Sequence, residues 1–266
     1  MQFRTIVDIP QPTFSIQPQE QMLFVGSCFA DNIGKRFQEE KFRATVNPFG
    51  VMYNPASILH TVERCEVAPR VALFTLGTNR VYRLKETGEI VDNCQKRPQK
   101  LFQEEDLSVQ QCCDFLQQSV DILLNRNPDV QVIVTVSPIR YAKYGYHGSQ
   151  LSKATLLLAT DALVKNNTNC SYFPAYEIVN DELRDYRFYR EDMLHPSAQA
   201  VEYIWERFSE AYFSPSAKRF LEEWRPIKEA LGHKPFHPES DEYKAFIERT
   251  RQKILQLKQK YPLLEV

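Results

Sequence analysis

Apolar residues in this chain fall into short continuous runs, each followed by a stretch in which they recur every three or four positions. Leu23-Phe24-Val25 is the first run, and Gly26-Ser27 breaks it. From Cys28 onward Phe29, Ile33, Gly34 and Phe37 repeat with helical spacing, which predicts a strand near 22–26 and a helix over 28–40. Ala44-Thr45-Val46 reads as a second strand, closed by the turn Asn47-Pro48-Phe49-Gly50. Asn54-Pro55-Ala56-Ser57 opens a helix with proline in the tolerated first position and Ile58, Leu59 and Val62 on one face. Val71 to Leu76 and Val130 to Val136 are apolar over strand length, as expected of strands buried on both faces.

Between those two strands, Val81–Leu84 and Glu89–Val91 predict a hairpin, and a long helix follows near 106–125. A Tyr/Gly/His-rich loop is expected over 140–150, then a helix from Ser152 to about 165. A last strand is expected within Tyr172–Val179, with Pro174 marking it as an edge or a strand start. Pro196 opens a helix carrying Val201, Ile204, Trp205 and Phe208, and beyond 215 the prolines suggest short helical pieces before an amphipathic helix over 241–260. Five strands alternating with helices predict an α/β protein with a doubly wound sheet. The chain divides into an extended N-terminal arm (1–20) laid on the domain surface, the sheet domain (21–213) and a helical C-terminal extension (214–266).

Composition narrows the function classes. With 43% hydrophobic and 25% charged residues, the 266-residue chain is of ordinary globular make-up, and its net charge of -1 argues against a nucleic-acid surface. The N-terminus lacks the apolar stretch of a signal peptide and no window approaches a membrane span, so a cytoplasmic protein with no membrane partner is expected. Six cysteines show neither a C-x-x-C pair nor zinc-type spacing, so reduced thiols and no metal or cofactor are expected.

Doubly wound sheets bind ligands beyond the carboxyl ends of their strands, where Ser27, Gly50, Gly77 to Asn79 and Ser137 all fall. Ser27 stands at a strand-to-helix turn, where free N–H groups favour developing negative charge; it reads either as nucleophile or as a helix N-cap. Asp192 and His195 are three residues apart before the last helix of the sheet domain, close enough for the carboxylate to orient the imidazole. Ser27, Asp192 and His195 are thus the parts of a triad. Cys28 is a second nucleophile candidate, although buried packing in the helix is the plainer reading. His147 could line the pocket, Arg140 and Lys153 could bind an anionic substrate group or lie solvated, and the arginines at 184, 187 and 190 suggest an ion-pair network with Asp181, Glu182, Asp185 and Glu191.

The motif Gly26-Ser27-Cys28-Phe29-Ala30, with Asn47-Pro48-Phe49-Gly50, Tyr53-Asn54-Pro55, Val91-Asp92-Asn93-Cys94, Thr135-Val136-Ser137-Pro138, Ser152-Lys153-Ala154, Phe173-Pro174-Ala175-Tyr176-Glu177 and Asp185-Tyr186-Arg187-Phe188-Tyr189 to His195-Pro196, resembles the GSCFA family, grouped with the SGNH/GDSL-like hydrolases. The resemblance runs over residues 20–210 and implies a flavodoxin-like three-layer α/β/α sandwich and ester hydrolysis or acyl transfer. By that resemblance Ser27 would be nucleophile, His195 general base and acid, and Asp192 its partner. Gly50 and Asn79 would be oxyanion donors beside the Ser27 N–H, with Asn93 a rival for the asparagine's place. Where the larger group carries Gly-Asp-Ser-Leu, matching by the serine sets Val25-Gly26-Ser27-Cys28.

The expected activity is that of a serine esterase or acyltransferase on a small-molecule or carbohydrate O-acyl ester. A catalytically inactive ligand- or glycan-binding protein of the same fold is the alternative. The tail helix could pack back on the sheet domain or join a homo-oligomer.

Overall fold

The computed structural model describes residues 3–92, 94 and 97–266. In chain order, β1 (Gln21–Gly26) passes through Ser27 into α1 (Cys28–Glu39), followed by β2 (Arg43–Val46), α2 (Pro55–Arg64) and β3 (Val71–Leu76). A small antiparallel sheet of β4 (Arg80–Leu84), β5 (Ile90–Val91) and β6 (Phe102–Asp106) interrupts the winding. Then come α3 (Val109–Arg126), β7 (Gln131–Val136), α4 (Gly145–Asn166) and β8 (Cys170–Tyr172). The single turn α5 (Ala175–Glu177) continues as a π-helical turn over Ile178–Leu183, and α6 (Ala198–Tyr212), α7 (Pro215–Gly232) and α8 (Asp241–Lys260) close the chain.

The main sheet has the order β2-β1-β3-β7-β8 with every neighbouring pair parallel. Because side chains alternate across a strand, each run feeds two cores. Met22 and Phe24 of β1, with Leu73 and Ile133, join the cluster around Phe29, Phe37, Trp205 and Phe208. Leu23 and Val25, with Ala72, Phe74, Val132 and Val134, join the cluster around Ile58, Leu116 and Leu156. Helices on both faces explain why these strands read as uninterrupted apolar runs. The expected α/β three-layer sandwich is therefore the fold observed. Phe37 is the hub of its face: its ring lies 4.8–5.7 Å from those of Phe24, Phe42, Trp205, Phe208 and Phe213.

Five expectations change. β6 is a strand that the sequence conceals, since Phe102-Gln103-Glu104-Glu105-Asp106 has an acidic, low-propensity composition. Cross-strand pairs Arg80–Asp106 and Arg83–Glu105, each at 2.9 Å, hold it. α4 begins at Gly145, within the stretch expected to be loop, because glycine there adopts φ +67 and lets the chain turn directly into helix. The last strand ends at Tyr172: Phe173 N–H still donates to Val134 O, but Pro174 has no N–H to offer and the chain turns helical.

The segment past 215 is one 18-residue helix, with Pro215 in its first turn and Pro226 inside it. Buried Phe220, Trp224 and Ile227 keep α7 against the domain despite the missing hydrogen bond, and Trp224 Nε1 donates to Glu39 O at 3.1 Å. The N-terminal arm does more than lie on the surface. Ile16 is fully buried and bonded to Tyr212 O and Ser214 N at 2.7 and 3.0 Å, while Val7 N–H donates to Glu182. α8 packs back through Leu257, with Tyr261 and Leu264 just beyond it, into the α1-side core. No helix among the described residues is long and apolar enough to cross a membrane.

Candidate active site

Four strand exits and one late loop meet at the carboxyl edge of the sheet. The β1 exit is pressed tightly against β3. Gly26 has φ +146, and a Cβ there would lie 2.2 Å from Thr75 O, so only glycine fits. Its N–H donates to Asn47 Oδ1 at 2.9 Å, while Asn47 Nδ2 donates to Asp31 Oδ1 at 2.6 Å, tying the β2 exit to the β1 exit and to α1. Ser27 follows as the N-cap of α1, its Oγ accepting from Phe29 N at 3.2 Å. Ser27 N–H donates to Thr75 O and Oγ1 (3.0 and 2.9 Å), and Ser27 Oγ lies 3.1 Å from Thr75 Oγ1. Ser27 is 0% exposed.

Cys28, the first helical residue, is packed in part against the α1-side core. It is partly exposed, with its Sγ 3.6 Å from the Tyr53 hydroxyl. The Tyr53 phenol is pushed up to about 12, by burial first and then by Cys28 and Asp31, so it remains a proton donor at neutral pH. Tyr141 stands edge-on to Tyr53, ring centroids 6.0 Å apart, with a buried hydroxyl that has no hydrogen-bond partner among the described residues. Burial, Tyr53 and Cys28 all raise its phenol. Gly77 makes room for it, since a Cβ there would lie 2.5 Å from the Tyr141 hydroxyl.

The late loop carries the acid–base pair. Asp192 Oδ1 accepts from Leu194 N and His195 N at 2.8 and 3.0 Å, and Asp192 Oδ2 lies 2.6 Å from His195 Nδ1. Those two backbone N–H groups, followed by the His195 ring, lower the Asp192 carboxyl to about 2. With Nδ1 fixed on the carboxylate, Nε2 is the nitrogen left to exchange a proton. Met193, at φ +57, makes the tight turn. Arg140 fastens this loop over the β7 exit: its N–H donates to Leu194 O at 3.1 Å and its guanidinium to Met193 O at 2.9 Å. The same guanidinium lies 4.3–5.9 Å from the ring centres of Tyr146, Tyr189 and Tyr186. Arg140 is therefore engaged as a clamp on the His195 loop.

The other expected site residues are placed as follows. Gly50 adopts φ +96, and its N–H donates to Asn47 O at 2.9 Å. Asn79 is buried, with Nδ2 on Leu107 O at 2.8 Å and N–H on Ser152 Oγ at 2.9 Å. Asn93 lies outside the described residues. His147 is exposed on the first turn of α4. Among the described residues the arginine series does not form one network: Glu182 is taken by Arg207 at 3.0 Å, and Arg184–Asp181 and Arg187–Asp185 are separate contacts of 3.9 Å.

Lys153 is neither solvated nor free for substrate. It is 2% exposed, and its Nζ donates to Gly77 O and Ser137 O at 2.7 Å each, joining the β3 and β7 exits. Burial lowers its ammonium to about 7. The sequence held a signal for this: Ser149, Ser152, Lys153, Leu156, Ala159 and Leu163 lie on one buried stripe of α4, and a lysine on such a stripe must find acceptors. Tyr53, Thr75 and Tyr141 left no comparable trace, because aromatic and β-branched residues at strand exits are ordinary core formers.

The parallel sheet, in the order β2-β1-β3-β7-β8, with the Asp–His pair clamped over its carboxyl edge, makes the chain a flavodoxin-like α/β sandwich. A catalytic mutant of the acetylxylan esterase Axe2 from Geobacillus stearothermophilus superposes with a TM-score of 0.50, covering 76% of this chain and 98% of its own at 13% identity. A candidate GDSL-like lipase from Parabacteroides merdae follows at 0.48 (75% and 98% covered, 14% identity), and a Clostridium thermocellum family 3 carbohydrate esterase at 0.43 (81% and 100%, 12%). At such identities the likeness is one of fold. Sequence profiles of the GSCFA family match residues 21–68 and 67–208, and one for the C-terminal domain of GSCFA domain proteins matches 224–266; the chain belongs to the GSCFA family. No protein of curated function matches the sequence.

Proposed function

We propose that this protein is an esterase or acyltransferase that forms an acyl-enzyme on the β1–α1 turn, with His195 moving the proton and Asp192 orienting it. The observation that carries this reading is the Asp192–His195 pair at 2.6 Å, held by two backbone N–H groups and by Arg140 beside the β7 exit, at the carboxyl edge of the sheet. A structural Asp–His pair has no need of so many constraints, whereas a general base must hold one tautomer and one orientation. The helix N-terminus supplies N–H groups for the oxyanion that acyl transfer generates. Acetylated carbohydrates are the first substrate class to examine, because a neighbour that shares the fold is named for acetylxylan.

The test is acetate release from acetylated xylo-oligosaccharides and 4-nitrophenyl acetate. Asp192→Asn should lower turnover by about 10²–10⁴-fold through loss of the orienting carboxylate. Wild-type turnover equal to that of the variant would contradict the assignment. The burial of the Ser27 hydroxyl favours one other reading, a binding protein that kept the fold; it would bind acetylated glycans without releasing acetate.

A further inference from the structure

We propose that the nucleophile is the thiol of Cys28 and that Ser27 serves as the helix cap beneath it. The inference rests on the acyl-transfer reading above and names the attacking atom. Ser27 is turned into the protein, fully buried, with its Oγ against Phe29 N and Thr75 Oγ1 at 3.2 and 3.1 Å. An acyl group reaching that oxygen would have to displace the contact with β3 that fixes the turn. The backbone of the turn is held in place by the Ser27 N–H bonds to Thr75 O and Oγ1 at 3.0 and 2.9 Å.

Cys28 is what the turn presents instead. Its Sγ is partly exposed at the first helical position. Its N–H precedes the first intrahelical bond and has no acceptor among the described residues, because the Ser27 cap takes the next N–H, that of Phe29. That donor is free for an oxyanion on a carbonyl carbon bonded to Sγ. The Tyr141 hydroxyl, unpartnered among the described residues, is an independent sign of a ligand here. A buried phenol without an acceptor is costly in an empty protein, and its neighbours are Tyr53 and the room left by Gly77. An acyl oxygen seated between the Cys28 N–H and the Tyr141 hydroxyl satisfies both donors.

In the first step His195 takes the thiol proton, Sγ bonds to the acyl carbon, and the ester C–O bond breaks. The departing alkoxide leaves as alcohol with the proton held by His195. In the second, water or an acceptor alcohol gives its proton to His195 and attacks the thioester carbon. The C–S bond breaks, Sγ recovers the proton, and an acid or a new ester departs.

Wild-type protein is mixed with 4-nitrophenyl acetate, quenched in acid and digested, and the acetylated residue is located by peptide mass mapping. The expected result is acetyl on Cys28, removed by neutral hydroxylamine as thioesters are, with Cys28→Ala lowering turnover at least 100-fold at unchanged melting temperature. Acetyl on Ser27 with turnover intact overturns the cysteine assignment and keeps the esterase reading. Neither turnover nor acetylation in the wild type, with either ester substrate, overturns both. The mapping uses unmodified protein, so it decides the matter even where Cys28→Ala does not fold.

Discussion

Gly26, Ser27 and Cys28 show how three adjacent residues take unlike roles from one constraint, the pressure of β1 against Thr75. A methyl group at Gly26 would meet Thr75 O at 2.2 Å in a positive-φ conformation, so Gly26→Ala should destabilise the fold by roughly 2–4 kcal/mol. Urea denaturation would measure it, and a change within about 0.5 kcal/mol would contradict the close approach, since surface substitutions stay in that range. Part of this was legible beforehand: a serine at a strand-to-helix turn is a cap or a nucleophile, and the sequence alone left both open. What decides the direction of each side chain is the β1–β3 contact, which no local pattern records.

Lys153 carries a pH signature of its own. Its ammonium titrates at about 7 in the fold against an ordinary 10.5. Between those values the unfolded chain binds the additional proton, so stability rises with pH across that window. Thermal melts from pH 7 to 9 should shift upward in the wild type and lose most of that slope in Lys153→Met. An unchanged slope would remove Lys153 as its source.

Among the elements, α1 matters most because it links core to site. Its cap is worth about 1 kcal/mol on general grounds, and its buried face centres on Phe37. Phe37→Ala should cost about 3–5 kcal/mol, since five aromatic rings converge on that position and none of them can close the gap alone. A loss under about 1 kcal/mol in denaturant titration would show that the ring cluster relaxes around the cavity. The apolar runs made β1, β3 and β7 legible, because buried parallel strands have a composition of their own. β6 was hidden for the opposite reason: its acidic residues are satisfied by Arg80 and Arg83 on the neighbouring strand. α7 was hidden by Pro226, whose helix-breaking tendency is overridden by the packing of Phe220, Trp224 and Ile227.

At the scale of the whole molecule, the arm and the tail close over the α1 face. Ile16 pairs with Tyr212 and Ser214, while Tyr261 stacks edge-on to Phe220 at 4.8 Å, and Phe220 on Phe42 at 5.7 Å. The boundary at 214 is thus a change of sequence character rather than a break in the core. A chain ending at residue 213 should expose that face and lose cooperative unfolding in circular dichroism; a sharp transition at the full-length temperature would show that the sheet domain stands alone. The opposite edge is where the four strand exits meet the loop held by Arg140. It stayed partly legible, since strand-end residues, an Asp-x-x-His step and a lysine on a buried helical stripe could be read off, while the clamps Asn47 and Arg140 emerged only from packing.

The central claim is that this edge performs acyl transfer through His195. Its most direct test is kcat/KM for 4-nitrophenyl acetate in the wild type and in His195→Ala, measured beside their melting curves. A fall of about 10²–10⁴-fold at an unchanged melting temperature is the predicted result. Equal rates in two folded proteins would contradict it.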